Sequence, residues 1–316
     1  MKDKEFISVV IPISERIDDL LELHADYKSA LVKVGNPYEI IYVVDGDFEL
    51  ELKQLTSLVN DNDNVKVIKL AKTFGEAAAL NIGFENSTGE LILTLPAYYQ
   101  VEPTELSTLV QAFGTNDMVT ACRYPRTDSG INRFMAKIFH KILGAITNSS
   151  FKDLGCSVRL FKRKIIEEIV VYGEQHRFLP IAAKGRGFKV EEVNLKQSAK
   201  ETYRRIYRIR TYFSRLLDIL NIFFLVKFTK KPLRFFGLIG SFTFVSGGAL
   251  FLYPIIERLF FGVALADRPA LVIASLMIVL GVQVFALGLI GELIIFTHAK
   301  NTKEYNIEKI IYKNKS

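Results

Sequence analysis

The sequence predicts an α/β domain with a mostly parallel sheet, followed by an interfacial helix and a two-helix transmembrane hairpin. Residues 65–100 have the pattern of a strand, an Ala-rich helix and a second strand, which is typical of a right-handed parallel pair in a buried sheet. Residues 203–228 interleave basic and apolar residues at helical spacing. Residues 233–253 and 270–296 are apolar and long enough to cross a bilayer.

Two buried strands are predicted before the 65–100 unit. Residues 6–13 are apolar without alternation, and residues 17–31 follow with helical spacing. A second strand is predicted at 38–44 and ends at Asp45-Gly46. A carboxylate at a strand end accepts hydrogen bonds from a base or ribose, and glycine lets a ligand approach the backbone. An ordinary turn explains this Val-Asp-Gly segment equally well.

Further elements are predicted after the unit. Pro103 begins a helix with an apolar face, and residues 117–124 predict a strand that contains Arg123 near its end. Another predicted helix begins at Arg133. Ligands in such sheets bind beyond the carboxyl ends of the strands, here near 74–75 and 96–100, so we expect chemistry there.

These motifs resemble the membrane-bound family 2 glycosyltransferases, GT-A-fold enzymes that pass a sugar from a nucleotide to a polyprenyl or dolichyl phosphate. The family has Ile-Pro-x-Tyr-Asn-Glu, Asp-Asp-Gly-Ser, Arg-Asn-Phe-Gly-Lys-x-x-Ala-Leu and Asp-Ala-Asp-Leu-Gln. The matching segments here are IPISER at 11–16, VDGD at 44–47, KTFGEAAAL at 72–80 and PAYYQ at 96–100. The resemblance continues in order to a glycine pattern at 281–292.

The resemblance implies a role for residues at each matching position. Arginine suits phosphate groups because its guanidinium fork binds two oxygens, although solvated surface is an equally good explanation for Arg123 or Arg133 taken alone. The implied donor-binding residues are Pro12, Asp45, Gly46, Phe74, Gly75, Ala97, Tyr98, Gln100 and Arg123. The acceptor-phosphate candidates are Arg133, Arg159, Arg204, Arg205 and Arg208.

The sequence departs from the family at two places that carry chemistry. Pro96 and Tyr98 stand at the acidic positions of Asp-x-Asp, so we assign no ligand to the divalent cation, Mg or Mn, that the family uses. Ser157 stands where the family has a proposed base, and serine needs help to act as one. Asp153 takes that role if its loop folds back, and is otherwise a turn or helix-cap carboxylate. The catalytic candidates are therefore Asp153 and Ser157.

Charge and hydropathy indicate a multi-pass protein of the cytoplasmic membrane. The chain is 49% hydrophobic with a net charge of +7, and basic residues cluster at the outer ends of the hairpin, whereas its loop has only Glu257, Arg258, Asp267 and Arg268. By the positive-inside rule, both termini are expected to be cytoplasmic. The basic 203–228 segment lies beside a span, so we expect anionic membrane lipids and not nucleic acid as its partner. The alternative for this segment is a helix that packs against another helix in a dimer, because such a surface has similar periodicity.

We divide the chain into a GT-A-like domain at 1–193, a basic amphipathic interfacial connector at 194–232, a transmembrane hairpin at 233–299 and a basic cytoplasmic tail at 300–316. The expected function is transfer of a sugar from a nucleotide-sugar to a polyprenyl phosphate for surface-glycan synthesis or modification. The alternative is a catalytically silent relative that binds lipid phosphate or a partner protein. A channel is disfavoured because neither span carries a row of polar residues. A homo-oligomer remains open.

Overall fold

The computed structural model describes residues 5–14, 16–61, 64–126, 144, 151–169, 173–201, 232–262 and 268–298. The chain separates into two compact units, one formed by residues 1–208 and 304–316 and the other by residues 209–303. Arg133, Arg204, Arg205, Arg208 and the terminal tail lie outside the described residues.

The first unit contains a seven-stranded sheet in the order β3-β2-β1-β4-β6-β5-β7. Strand β6 is antiparallel to its neighbours β4 and β5, and the other pairings are parallel. The strands are β1 (Ile7–Ile13), β2 (Tyr38–Val44), β3 (Val65–Lys69), β4 (Leu91–Thr94), β5 (Met118–Arg123), β6 (Arg159–Lys162) and β7 (Val190–Leu195). The expected mostly parallel α/β sheet is confirmed.

Helices cover both faces of this sheet. On one face, α1, α2 and α4 bury residues such as Leu23, Leu55 and Leu109 against the strands. On the other face, α3, α5 and α6 contribute to separate apolar clusters. The helices are α1 (Leu20–Val34), α2 (Glu49–Asp61), α3 (Glu76–Glu85), α4 (Leu106–Phe113), α5 (Lys164–Glu168) and α6 (Leu179–Gly185), with 3₁₀ turns at Pro103–Glu105 and Gly173–Phe178. All seven residues of β1 are buried because helices pack on both of its sides.

Two details of the sequence prediction are corrected. The strands of the 65–100 unit are not neighbours, because β2 and β1 lie between β3 and β4. The first helix begins at Leu20 and not at residue 17, because the Asp19 carboxylate accepts hydrogen bonds from the N–H groups of Leu21 and Glu22 and caps the helix.

The second unit contains two long apolar helices, α7 (Pro232–Phe261) and α8 (Pro269–His298). Each is 30 residues long, and their most apolar windows have mean hydropathies of 1.8 and 2.6. Helices of this length and composition can cross about 30 Å of hydrocarbon. The two helices pack closely through glycines, since a Cβ placed on Gly240 lies 2.6 Å from the Phe285 nitrogen. The predicted hairpin is confirmed.

Candidate active site

The sheet topology brings distant segments to one edge. The carboxyl ends of β1, β2, β4 and β5 meet there, because these strands run in the same direction. Strand β6 runs the opposite way, so it begins at this edge and its Arg159 pairs with Thr94 and Thr120. The loop before β6 and the segment after β7 therefore reach the same place. Sequence alone could not predict this convergence.

Asp45 organises the turn that leads into α3. Its carboxylate is fully buried, and its two oxygens accept hydrogen bonds from the backbone N–H groups of Phe74 at 2.7 Å and Gly75 at 2.8 Å. A Cβ on Gly46, which has a φ of +120°, would lie 2.4 Å from the Thr73 hydroxyl oxygen. Phe74 is 56% exposed at the tip of the turn. The turn thus has a rigid base and an exposed aromatic ring.

Gln100 links the loop after β4 to the loop before β6. Its Oε1 accepts the Ser157 N–H at 2.8 Å, and its Nε2 donates to the Tyr98 hydroxyl at 2.6 Å. The Arg16 guanidinium lies over the Tyr98 ring, 4.1 Å from its centroid. Burial raises the pKa of Tyr98 to about 12, so its hydroxyl is neutral. Gln100 therefore has a structural role that explains its presence without a bound ligand.

Arg123 and Asp153 form a buried ion pair at the end of β5. The Arg123 Nε and Nη2 donate to the two Asp153 oxygens at 2.7 and 2.9 Å, and Arg123 Nη1 donates to Glu201 at 3.0 Å. Burial raises the Asp153 pKa, but the charge and hydrogen bonds of Arg123 outweigh burial and hold that pKa below its usual range. Asp153 is therefore an ionised partner of Arg123 and not a helix cap. Sequence reasoning missed Glu201, because no motif surrounds it.

A pocket opens beside this network, between the first turn of α3 and the start of β6. Its polar wall contains Glu76, Thr94, Ser157, Arg159 and His176. The carboxylate of Glu76 lies 3.4 Å from His176 Nε2. Burial raises the Glu76 pKa, but its contact with His176 and the charges of two arginines outweigh burial and lower that pKa. Its apolar wall consists of Pro12, Leu80, Phe84, Leu95, Phe161 and Leu179.

Two of the residues predicted from the sequence, Ser157 and Arg159, line this pocket and make different contacts. Ser157 lines the pocket, and its carbonyl accepts a hydrogen bond from the Thr94 hydroxyl at 2.6 Å. Arg159 is 5% exposed, and its terminal nitrogens donate to the carbonyls of Leu154, His176 and Arg177. Burial lowers the Arg159 pKa to about 10, so the guanidinium remains charged at neutral pH. The roles expected for these residues in catalysis and phosphate binding stay predictions.

Glu76 was not among the predicted site residues. It occupies the position of the lysine in the Arg-Asn-Phe-Gly-Lys motif, so the signal available in the sequence was a reversal of charge at the start of α3. The sequence does not show what this charge reversal does, because the partner of Glu76 is His176, which only the fold brings to the same pocket.

The side chains at this edge do not fit a carboxylate-held divalent cation. Pro96 and Tyr98 offer no carboxylate, both Asp45 oxygens accept backbone hydrogen bonds, and both Asp153 oxygens bind Arg123. Within the described ranges, no group of three or more His, Cys, Asp or Glu side chains is arranged to hold a metal ion. Divalent cations of this kind prefer oxygen ligands, chiefly carboxylates.

Comparison with known proteins agrees with this architecture. The model of glycosyl transferase family 2 matches residues 8–170. An undecaprenyl-phosphate 4-deoxy-4-formamido-L-arabinose transferase of Pectobacterium atrosepticum is 30% identical over 98% of this chain and 94% of its own length. The enzyme of the same name from Pseudomonas aeruginosa is 28% identical over 97% of this chain and 91% of its own length.

A solved structure has a fold similar to that of this chain. Glucosyl-3-phosphoglycerate synthase from Mycobacterium tuberculosis, in complex with Mn²⁺, uridine diphosphate and glucosyl-3-phosphoglycerate, superposes with a TM-score of 0.52. It is 14% identical and covers 70% of this chain and 80% of that one. The family match spans the strands that build the candidate site, and the first relative matches nearly the whole chain. The chain belongs to glycosyl transferase family 2 and is a glycosyltransferase.

Proposed function

We propose that this glycosyltransferase transfers a sugar from a nucleotide-sugar to a polyprenyl phosphate, in the synthesis or modification of a surface glycan. The observation that carries the proposal is that a family 2 domain and two helices long enough to cross a membrane occur in one chain. Relatives named as undecaprenyl-phosphate transferases match 98% of the chain, a length that includes both helices. A lipid-linked acceptor requires an enzyme held at the bilayer.

On the donor side, the proposal assigns the nucleotide to the turn organised by Asp45, with the other donor residues expected from the sequence beside it. The leaving diphosphate is the charge that most needs stabilisation during transfer. Arg16, Arg123 and Arg126 lie within 4.0 Å of the carboxylates of Asp153 and Glu201. Three guanidinium groups and two carboxylates give this cluster a local excess of one positive charge. This local excess is proposed to attract the diphosphate without a carboxylate-held cation.

On the acceptor side, a phosphate is already anionic and needs little activation by a base. Ser157 and Asp153 are therefore proposed as positioning groups next to the transferred sugar. Arg133, Arg159 and the arginines at 204, 205 and 208 remain the proposed contacts of the acceptor phosphate. The basic amphipathic part of the connector, at 203–228, is proposed to bind anionic lipids, with both termini in the cytoplasm.

The test is sugar transfer by the full-length protein in detergent. Uridine diphosphate sugars are the first donors to try, because the M. tuberculosis structure contains uridine diphosphate. Radiolabelled sugar should appear on a short polyprenyl phosphate, both with manganese and with a chelator. Glu85→Gln, at the exposed end of α3, should transfer at the wild-type rate.

Two outcomes would contradict the proposal in different ways. If the chelator abolishes transfer, the protein holds a catalytic cation and the cation-free part of the proposal is wrong. If the folded protein neither transfers sugar nor binds any nucleotide, the silent lipid-phosphate-binding scaffold becomes the better explanation.

A further inference from the structure

Arg16 and Tyr98 lie on the two loops that flank the switch point of the sheet. The chain adds β2 and β3 on one side of β1 and then places β4 on the other side, so the direction of strand addition reverses between β1 and β4. Ligands of open α/β sheets bind at such a point, beyond the carboxyl ends of the strands. Arg16 follows β1 and Tyr98 follows β4. The ligand-binding crevice of the sheet is therefore expected beside this pair.

Backbone hydrogen bonds hold the loops of Arg16 and Tyr98 together. The Asp18 N–H donates to the Ala97 carbonyl at 2.9 Å, and the Asp18 carboxylate accepts the Tyr99 N–H at 2.9 Å. These two bonds tie the loop after β1 to the backbone on both sides of Tyr98. The Arg16 guanidinium carbon lies 4.1 Å from the centroid of the Tyr98 ring. Attraction to a ring face positions this cation, whereas a carboxylate partner would also neutralise it.

The excess positive charge of the arginine cluster is accessible at Arg16 and Arg126. Arg123, Asp153 and Glu201 form the inside of the cluster with side chains 10%, 2% and 8% exposed, and together they carry one net negative charge. The side chains of Arg16 and Arg126 are 21% and 26% exposed. Arg16 lies 4.0 Å from a Glu201 oxygen, beyond hydrogen-bond distance, and that oxygen accepts a hydrogen bond from Arg123 at 3.0 Å. Arg16 is also the closer of the two to the switch point, because Arg126 follows β5, which β6 separates from β4.

We propose that the Arg16 guanidinium is the built-in positive charge of the donor site and binds the diphosphate in place of a divalent cation. Arg16 stands at the Glu of the Ile-Pro-x-Tyr-Asn-Glu pattern, and Tyr98 stands at the second acid of Asp-x-Asp. At these two positions the chain has two carboxylates fewer than the pattern and one cation more, and the two altered residues contact each other. A guanidinium fork binds two phosphate oxygens at once, which suits a diphosphate. The inference rests on the proposed function and assigns to one residue the charge that it requires.

The experiment measures dissociation constants for the full chain in detergent by calorimetry. The diphosphates of uridine, guanosine, adenosine, cytidine and thymidine are titrated in chelator, and the tightest ligand is compared with the nucleoside that it contains. The wild type should bind this diphosphate about tenfold or more tightly than the nucleoside, and manganese in place of chelator should change its dissociation constant by less than about threefold. Arg16→Gln should bind the diphosphate about tenfold more weakly and the nucleoside as the wild type does, because a charge-assisted contact with phosphate is lost.

Two further variants separate the site from overall charge. Lys33→Gln removes an equal charge from an exposed position in the last turn of α1, which ends at the opposite edge of the sheet, and it should bind as the wild type does. Arg16→Lys keeps the charge without the fork and should bind the diphosphate with an affinity between those of the wild type and Arg16→Gln.

The results that would overturn the inference differ from those that would overturn the proposed function. If Arg16→Gln binds the diphosphate as tightly as the wild type does, the inference is overturned and the proposed function stands. If Arg16→Gln loses the nucleoside and the diphosphate equally, Arg16 only supports the fold and the inference is also overturned. If manganese tightens wild-type binding by more than threefold, the site takes a cation that Arg16 does not replace. If the folded wild type binds none of the probes, the proposed function and the inference fail together.

Discussion

Arg123 and Asp153 are joined by two parallel side-chain hydrogen bonds, and the same carboxylate also accepts the Arg123 backbone N–H at 3.2 Å. Arg123 is 8% exposed and Asp153 is 1% exposed, so neither group is solvated. Each was expected from the sequence to act separately, one on donor phosphate and one as a base. In the fold they are a single unit that ties β5 to the loop before β6.

Replacement of one partner of this unit should destabilise the domain. Asp153→Asn leaves the Arg123 guanidinium with an incomplete partner, and loss of one side of a buried pair typically costs about 3–5 kcal/mol. Arg123→Lys should also be destabilising, because lysine cannot bind both carboxylate oxygens. Thermal unfolding of the detergent-solubilised protein measures the effect.

The matched control is the partly exposed pair of Lys162 and Asp117, which are 2.7 Å apart with side chains 43% and 20% exposed. Lys162→Ala should cost at most about 1 kcal/mol. Equal losses of thermal stability in the two pairs would show that burial contributes nothing to the Arg123 unit.

Asp45→Asn should weaken nucleotide binding and also lower thermal stability, because the buried Asp45 side chain fixes the turn with both of its oxygens. An asparagine keeps the size of the side chain but offers one acceptor oxygen, so either the Phe74 or the Gly75 N–H loses its partner. The turn that is proposed to hold the nucleotide then has one of its two fixing hydrogen bonds, so uridine diphosphate should bind more weakly, by roughly tenfold. Titration with uridine diphosphate should detect this change. An unchanged dissociation constant would remove Asp45 from the donor site.

Acid should destabilise the domain partly through Glu39. This carboxylate accepts hydrogen bonds from Ser8 and Thr88 and pairs with Lys66 at 2.6 Å. Burial raises its pKa, but these contacts outweigh burial and lower the pKa from 4.5 to about 2. Because the folded-state pKa is the lower one, this stabilisation is complete above the unfolded pKa of 4.5 and disappears as the pH falls toward 2.

Glu39→Gln is the variant that tests this assignment. It should lower the thermal midpoint at pH 7 and flatten the dependence of that midpoint on pH between about 4.5 and 2. Glu85→Gln is the exposed control. If the wild type and Glu39→Gln show parallel pH profiles, Glu39 does not contribute to the acid sensitivity.

The hairpin should depend on two glycines at the crossing of α7 and α8. A Cβ on Gly240 would lie 2.6 Å from the Phe285 nitrogen, and one on Gly281 would lie 2.6 Å from the Phe244 nitrogen. Gly240→Ala and Gly281→Ala should therefore separate the helices and lower thermal stability in detergent. Gly248→Ala is the control, because a Cβ there has no neighbour within 4 Å. Equal stability of all three variants would contradict this packing.

The proposed topology can be tested with single cysteines. A cysteine at residue 264, in the connection between the two spans, should react with an impermeant reagent from outside intact cells. The native Cys122 and Cys156 are buried and should remain silent in the folded protein. A cysteine at residue 316 should be labelled only after the cells are opened. Labelling of residue 316 but not 264 in intact cells would invert the orientation.

The hydrophobic pattern of the sequence alone determined the element types and the class of fold. Continuous apolar runs such as Ile7–Ile13 predicted strands buried on both faces, and β1 is indeed fully buried. The two apolar stretches near the C-terminus predicted the hairpin because length and hydropathy suffice for that assignment. The order of short motifs, from Pro12 to Gln100, predicted the family. These properties are local, so they can be read along the chain.

Only the tertiary structure decided which polar residues meet. The direction of β6 brings Asp153 to Arg123, and the packing of the segment before α6 brings His176 to Glu76. These pairs are distant in the chain, and their charges have meaning only once burial removes water from around them. Strand order also separated β3 from β4, against the expected adjacency, because a strand's hydrophobicity does not encode its neighbour in the sheet. The sequence pattern therefore predicts that ligands bind at the carboxyl ends of the strands. The strand order and direction decide which polar side chains meet there.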